Sequence, residues 1–97
     1  TLKWALARAY EDVDPRKAIE IYIDLITAYG KIPDQNYYHE ITLKHIIAQQ
    51  YVKMGEKREA LRLCDEILLT QNLTEYVREK LADRFKRVKK LKKELAD

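Results

Sequence analysis

The sequence predicts an all-α protein made of antiparallel helical hairpins, with about five helices. Only two glycines and two prolines occur in 97 residues, which leaves little of the turn chemistry that hairpins of β-strands require. Alanine, leucine, isoleucine, lysine, arginine and glutamate dominate the chain, and most of these residues are strong helix formers. Tight turns separate the predicted helices, so consecutive helices are expected to lie antiparallel.

Length and composition predict a single domain over residues 1–97. The chain is 46% hydrophobic, which is enough for one layer of packed helices but not for a deep enclosed active site. Because it opens at Thr1 without methionine and already in helical pattern, we expect it to be a piece of a longer protein. No apolar run approaches the roughly 18–20 residues of a membrane-spanning helix. We expect a soluble protein, with the cytoplasm as the favoured compartment.

The first hairpin is predicted over residues 1–30. Asp14 can cap the free amides of a first turn, and Pro15 has no amide to leave unsatisfied at the first helical position. These two residues divide a helix of about Leu2 to Asp12 from a second of about Pro15 to Tyr29. Gly30 suits a left-handed helix end, and residues 31–36 are predicted to form a loop.

The second hairpin is predicted over residues 37–70, followed by a closing helix. Its first helix runs from about Tyr37 to Met54 and stops at Gly55, and its second runs from about Lys57 to Leu69. Asn72, with Glu75 three residues later, resembles a capping box. It predicts a basic C-terminal helix over about residues 73–95.

The two hairpins share one residue pattern. Small, aromatic, turn-forming, small, medium and apolar residues follow one another in the same order in both hairpins, 41 to 42 residues apart. The pattern comprises Ala7, Tyr10, Asp14, Ala18, Tyr22 and Leu25 in the first hairpin, and Ala48, Tyr51, Gly55, Ala60, Cys64 and Ile67 in the second. Where two helices cross, a small residue on each lets the backbones approach, and an adjacent ring fills the remaining gap. Leu81, Ala82 and Phe85 repeat the beginning of the pattern, which predicts the start of a third hairpin.

This pattern resembles the tetratricopeptide repeat (TPR), a helix–turn–helix unit of about 34 residues that stacks into a solenoid. The resemblance covers two hairpins and a closing helix. It implies a non-enzymatic scaffold whose first helices line a groove for a peptide or partner protein. The implied groove residues are Trp4, Arg8, Thr42, His45, Gln49, Lys53, Tyr76, Lys80, Asp83 and Lys86.

The sequence offers no set of residues typical of catalysis, and we expect neither an enzyme nor a cofactor. His39 and His45 are six residues apart, which places them on different faces of one helix, and no third histidine completes a metal site. Cys64 is the only cysteine, and its place in the pattern predicts a buried thiol. The carboxylates lie among other charges on solvated faces, where nothing separates their pKa values. No glycine-rich phosphate loop is present.

The C-terminal helix carries the excess positive charge. Residues 84–97 hold 7 basic and 2 acidic residues, whereas residues 1–83 hold 12 basic and 14 acidic. Such a helix can bind nucleic acid, which is an alternative function. Its cations also suit a closing helix with a solvated outer face, and we expect this second role rather than a nucleic-acid partner. Val88, Leu91 and Leu95 extend an apolar line that nothing later in the chain covers, which predicts self-association as an alternative function.

Overall fold

A computed structural model describes residues 2–32 and 37–97, and over these residues the protein is all-α, without a strand. The predicted fold class is confirmed. The loop expected at residues 31–36 lies mostly outside the described residues, at 33–36. Six helices follow in order: α1 (Leu2–Tyr10), α2 (Pro15–Gly30), α3 (Tyr38–Lys53), α4 (Lys57–Leu68), α5 (Glu75–Lys80) and α6 (Ala82–Ala96). They form a slab of 36 × 36 × 18 Å, which is about two helices thick.

The turn between α1 and α2 uses the cap predicted from Asp14 and Pro15. The Asp14 carboxylate accepts a hydrogen bond from the Lys17 amide at 3.3 Å, and Pro15 is the first residue of the helix. The Asp14 amide in turn donates to the Tyr10 carbonyl at 2.7 Å, which closes the end of α1. One aspartate therefore helps to end one helix and begin the next.

The two glycines differ in backbone conformation. Gly55 has a left-handed φ of +76° and follows the last turn of α3, where the sequence predicts that the helix stops. Gly30 is instead the last residue of α2, and its neighbour Lys31 remains right-handed with φ −87°. The left-handed end expected at Gly30 is therefore not observed, and the Lys31 amide bonds back to the Ala28 carbonyl at 3.2 Å.

The small residues of the shared pattern are buried as predicted. Ala7, Ala18, Ala48 and Ala60 are all 0% exposed. Helix α1 packs on α2, α2 on α3, and α3 on α4, so the two hairpins lie side by side. Cys64 is also fully buried, and burial raises the pKa of its thiol. Both helix crossings therefore depend on alanines that allow close approach.

The C-terminal region differs from the single helix that the sequence predicts. The chain breaks at Leu81, which divides the region into α5 and α6. The N-cap is Thr74, whose hydroxyl accepts a hydrogen bond from the Val77 amide at 3.2 Å. Asn72, predicted as the cap, lies two residues before Thr74 in the left-handed conformation, with φ 63°, and α5 begins only at Glu75.

The break at Leu81 lets α6 fold against α4, and this overturns the expected exposed apolar line. Val88 is 0% exposed and packs with Cys64 and Ile67 of α4, while Leu91 and Leu95 are partly buried. An ion pair of 2.7 Å between Lys92 Nζ and Asp65 Oδ1 accompanies this packing. The residues predicted to mediate self-association therefore contribute mainly to packing within the chain.

The third hairpin predicted to begin at α6 also lacks its small contact residue. Ala82 is exposed, unlike its counterparts Ala7 and Ala48. Those two alanines are buried because a second helix of the hairpin packs over each of them. Among the described residues, no helix occupies that position beside α6.

Candidate functional site

A cleft opens between α1 and α3, with α2 beneath it, and we refer to it as the α1–α3 cleft. Its volume is about 260 Å³. The lining residues are Trp4, Arg8, Glu11, Tyr22, Ile46 and Gln49. The cleft forms because α1 and α3 are the first helices of successive hairpins and both pack on α2 between them.

The floor of the cleft is a buried phenol paired with a carboxylate. The Tyr22 hydroxyl donates a hydrogen bond to Oε2 of Glu11. Burial, followed by this hydrogen bond, raises the pKa of Tyr22 well above its usual range, so the phenol remains protonated. Lys53 Nζ lies 4.0 Å from the other Glu11 oxygen and 3.6 Å from Asp12 Oδ1. The Glu11 carboxylate therefore has a hydroxyl donor on one oxygen and the shared Lys53 ammonium near the other.

Trp4 forms an aromatic wall of the cleft. Its indole Nε1–H donates to the Tyr29 hydroxyl at 3.2 Å, and its ring meets Tyr22 edge-on with 6.0 Å between the ring centroids. Trp4 is partly buried against the core that the two hairpins share. A partly exposed ring fixed on two sides offers a rigid apolar contact at little cost in side-chain entropy.

Arg8 and Gln49 supply the polar groups of the cleft that are free to bind. Both side chains are exposed, and Arg8 forms no ion pair with any described residue. A guanidinium can bind a carboxylate through two parallel hydrogen bonds, and a primary amide can both donate to and accept from a peptide group. The cleft thus combines one rigid ring with one unpaired cation and one amide.

The structure brings together three of the predicted groove residues, Trp4, Arg8 and Gln49. Lys53 lies at the edge, where it pairs with Glu11. Thr42 is seven residues before Gln49 on the same helix, so it lies near the same face. Its hydroxyl donates to the Tyr38 carbonyl at 2.9 Å and is therefore occupied within its own helix.

His45, expected in the groove, is instead buried at 1% exposed. Its Nδ1 lies 2.8 Å from Nη1 of Arg84, which can only donate, so Nδ1 accepts and the ring is neutral. Burial, with Arg84 and Arg87 nearby, lowers the pKa of His45 to about 4. The sequence could not show that the break at Leu81 brings α6 over this face of α3. His45 joins α3 to α6 and offers no surface for a ligand.

The remaining predicted groove residues do not line the cleft. Tyr76 and Lys80 belong to α5, where the Lys80 ammonium lies 5.5 Å from the centre of the Tyr76 ring. Asp83 and Lys86 are exposed on α6, which packs on α4. The cleft draws on the first two hairpins.

Three lining residues were missing from the predicted groove set. The repeat pattern places Tyr22 at the helix crossing and gives Glu11 and Ile46 no position in the groove. One sequence signal was available, because a tyrosine at a buried crossing needs an acceptor for its hydroxyl. Glu11, at the end of the paired helix, is a suitable acceptor. Ile46 gave no comparable signal, since it belongs to an ordinary apolar run.

A second cleft of about 580 Å³ crosses the α3–α4 turn, where its lining includes Arg16, Tyr51, Gly55 and Lys57. Although it is larger, we favour the α1–α3 cleft as the functional site. Arg16 is already paired with Glu56 at 2.9 Å, and the second cleft is a shallow surface along a turn. The α1–α3 cleft, by contrast, has helices on three sides.

No family model, curated protein or solved structure matches this chain. None of the helices in residues 2–32 and 37–97 is long and apolar enough to cross a membrane. Over the same residues, no three histidine, cysteine, aspartate or glutamate side chains are grouped so that they could hold a metal ion.

Proposed function

We propose that this chain is a protein-binding module of the tetratricopeptide-repeat kind, which holds a segment of a partner protein in the α1–α3 cleft. The observation that carries the proposal is the convergence of Trp4, Arg8 and Gln49 from two successive hairpins on one opening. The shared residue pattern of the hairpins and the burial of its four alanines support the repeat assignment.

The chemistry of the lining favours a particular ligand. Trp4 and Ile46 accommodate an apolar or aromatic side chain, and Gln49 can bond the peptide backbone beside it. Arg8 favours a carboxylate, because it forms no ion pair with any described residue, whereas Glu11 and Asp12 both have an oxygen within 4.0 Å of the Lys53 ammonium. The ligand is therefore an extended segment in which an apolar residue lies next to an acidic residue or a chain terminus.

The experiment selects binders from a library of short random peptides displayed on phage. Because the chain contains a single tryptophan, the fluorescence of Trp4 reports directly on occupancy of the cleft. We expect selected peptides to share an apolar residue beside an acidic one and to shift the Trp4 emission. Arg8→Gln and Gln49→Ala should each weaken binding, by about 2 kcal/mol if the residue is a hot spot.

Arg58→Gln provides the matched control. Arg58 is an exposed arginine that lines the second cleft, so its replacement should leave the affinity unchanged. Circular dichroism checks that each variant is folded. Selected peptides that bind Arg8→Gln and Gln49→Ala as tightly as the original chain, without a change in Trp4 emission, would place the binding surface elsewhere.

A second candidate function follows from the outer surface of α6. Lys86, Lys89, Lys90 and Lys93 are exposed and form no ion pair with any described residue. Such a row can contact phosphates, and each contact contributes about one unit to the salt dependence of binding. Replacing all four residues by glutamine should abolish any gel shift of a DNA duplex and leave peptide binding intact. The absence of a shift at low salt with the original chain would remove this candidate.

A further inference from the structure

Helix α1 carries an apolar stripe that nothing in the described structure covers. Leu2 is 90% exposed, Leu6 49% and Val13, just beyond the helix, 80%, and Ala5 and Ala9 beside them are also exposed. Leu6 is two residues from both Trp4 and Arg8, which places it about 200° around the helix from them. The stripe therefore faces away from the α1–α3 cleft and is a separate surface.

The second hairpin shows what an equivalent stripe does. The residues 41 positions later are Leu43, Ile46, Ile47, Gln50 and Met54. Leu43, Ile47 and Gln50 are at most 2% exposed, and Ile46 and Met54 are partly buried. The four apolar members belong to one core with Ile19, Ile21 and Ile26 of α2. On α3, the stripe is thus the surface on which α2 packs.

We propose that the α1 stripe is a binding site for an amphipathic helix of a partner, packed antiparallel to α1 as α2 packs on α3. The two exposed alanines support close approach, because small residues let helix axes come together. The partner helix must present isoleucine or leucine at three- and four-residue spacing, as α2 does.

The charge of Asp14 adds a second requirement for the partner helix. Arg16, in the first turn of α2, pairs with Glu56, the N-cap of α4, at 2.9 Å. The equivalent N-cap in the first hairpin is Asp14, which is exposed and forms no ion pair with any described residue. A helix that lies on α1 as α2 lies on α3 brings its own first turn to Asp14. The partner helix therefore carries a basic residue in that turn.

A second copy of the chain fits this site poorly. Its α2, the helix with the required apolar pattern, is covered by its own α1 and α3. The exposed faces of its α6 are lysine-rich and contain no large exposed apolar residue. Pairing of two α1 stripes would join two nine-residue helices, and it would bury little apolar surface beyond Leu2, Leu6 and Val13 of each copy.

The test supplies such a helix by fusing it to the intact protein. A copy of residues 14–41 is placed directly ahead of Thr1, which reproduces the register in which these residues precede Thr42. We expect the melting temperature to rise by roughly 5–10 °C, as additional packing of a small domain gives. The amides of the added helix should exchange with solvent at least ~10-fold more slowly than in the isolated peptide.

Two controls make the result specific. A copy with the same residues in shuffled order keeps the composition but loses the stripe, so it should give no rise. Leu6→Asp should cancel the rise in the extended protein and change the original chain little, because Leu6 is half-exposed there. An unchanged melting temperature with the ordered copy, or an equal rise with the shuffled copy, overturns the proposal. Light scattering that shows a dimer of the original chain, dissolved by Leu6→Asp, would assign the stripe to a second copy instead.

Discussion

The two hairpins use the same alanine crossing but differ in the residue that follows it. Tyr22 occupies this place in the first hairpin and Cys64 in the second, and both are 0% exposed. The tyrosine brings a hydroxyl, which requires an acceptor, and Glu11 supplies it. The thiol needs no partner, and Val88 of α6 packs against the apolar surface around it.

This difference gives the hairpins separate roles. In the first, the phenol and carboxylate fix the floor of a cleft that remains open to solvent. In the second, the equivalent side is apolar and is covered by the closing helix. One substitution in a repeated pattern can therefore distinguish a unit whose face stays open to solvent from a unit that completes the core.

The largest effect should come from removing the tyrosine. Tyr22→Ala should lower the free energy of unfolding by about 3–5 kcal/mol, because it leaves a cavity where a large ring was fully buried. Cys64→Ala removes a single sulfur atom and should cost about 1 kcal/mol. Urea unfolding measures both. Equal losses would show that the two positions are energetically alike, contrary to the comparison.

Acid should weaken the second hairpin through His45. Its pKa is about 4 in the folded protein and near 6.5 when unfolded, so the unfolded chain binds the proton more readily. The contribution of the neutral His45 ring to the free energy of unfolding is therefore fully present above pH 6.5. It is lost as the pH falls towards 4, by about 3 kcal/mol at most. His45→Gln should remove this part of the pH dependence, measured as the difference between the two unfolding curves. Parallel curves between pH 6.5 and 4 would contradict the buried neutral ring.

Overpacking at the crossings tests whether the hairpins share one geometry. Ala60→Leu should cost about 1–3 kcal/mol, and Ala18→Leu should cost a similar amount, because both residues are fully buried between helices. Ala82→Leu is the matched control, since Ala82 is exposed, and its effect should be within about 0.5 kcal/mol. An unchanged melting midpoint in Ala60→Leu would remove the repeat assignment.

The smallest effects should come from the turns within the two hairpins. The first turn depends on the Asp14 cap and the second on the left-handed Gly55. Gly55→Ala should cost about 1 kcal/mol because alanine is strained at a φ of +76°. No steric clash adds to this cost, since an added Cβ meets no atom within 4 Å. Asp14→Ala should cost about 1 kcal/mol through loss of the cap. Gly55→Asn, which tolerates the left-handed conformation better, should be milder. Thermal unfolding of the three variants would show whether the turns contribute equally.

The sequence predicted the local features of the fold well because they depend on neighbouring residues. The Asp14 cap, the Gly55 turn and the buried alanines follow from short-range chemistry. The path of α6 did not, because the break at Leu81 is marked by neither glycine nor proline. The break at Leu81 folds α6 back on the protein, and this packing places Val88 and His45 in the interior. The repeat pattern predicts Trp4, Arg8 and Gln49, and the need of the Tyr22 hydroxyl for an acceptor points to Glu11, whereas Ile46 reaches the cleft only because α3 packs on α2.

The sequential packing of the helices also determines how the chain should fold. Each of the first three helices packs on the helix that follows it in the chain, and α6 packs on α4, so most contacts join residues close in sequence. Few long loops must close before favourable contacts form, which is typical of proteins that fold within microseconds to milliseconds. Because each helix contacts few others, α1 and α6 can open while the centre stays intact. Native-state exchange should then show the slowest amides in α2 to α4.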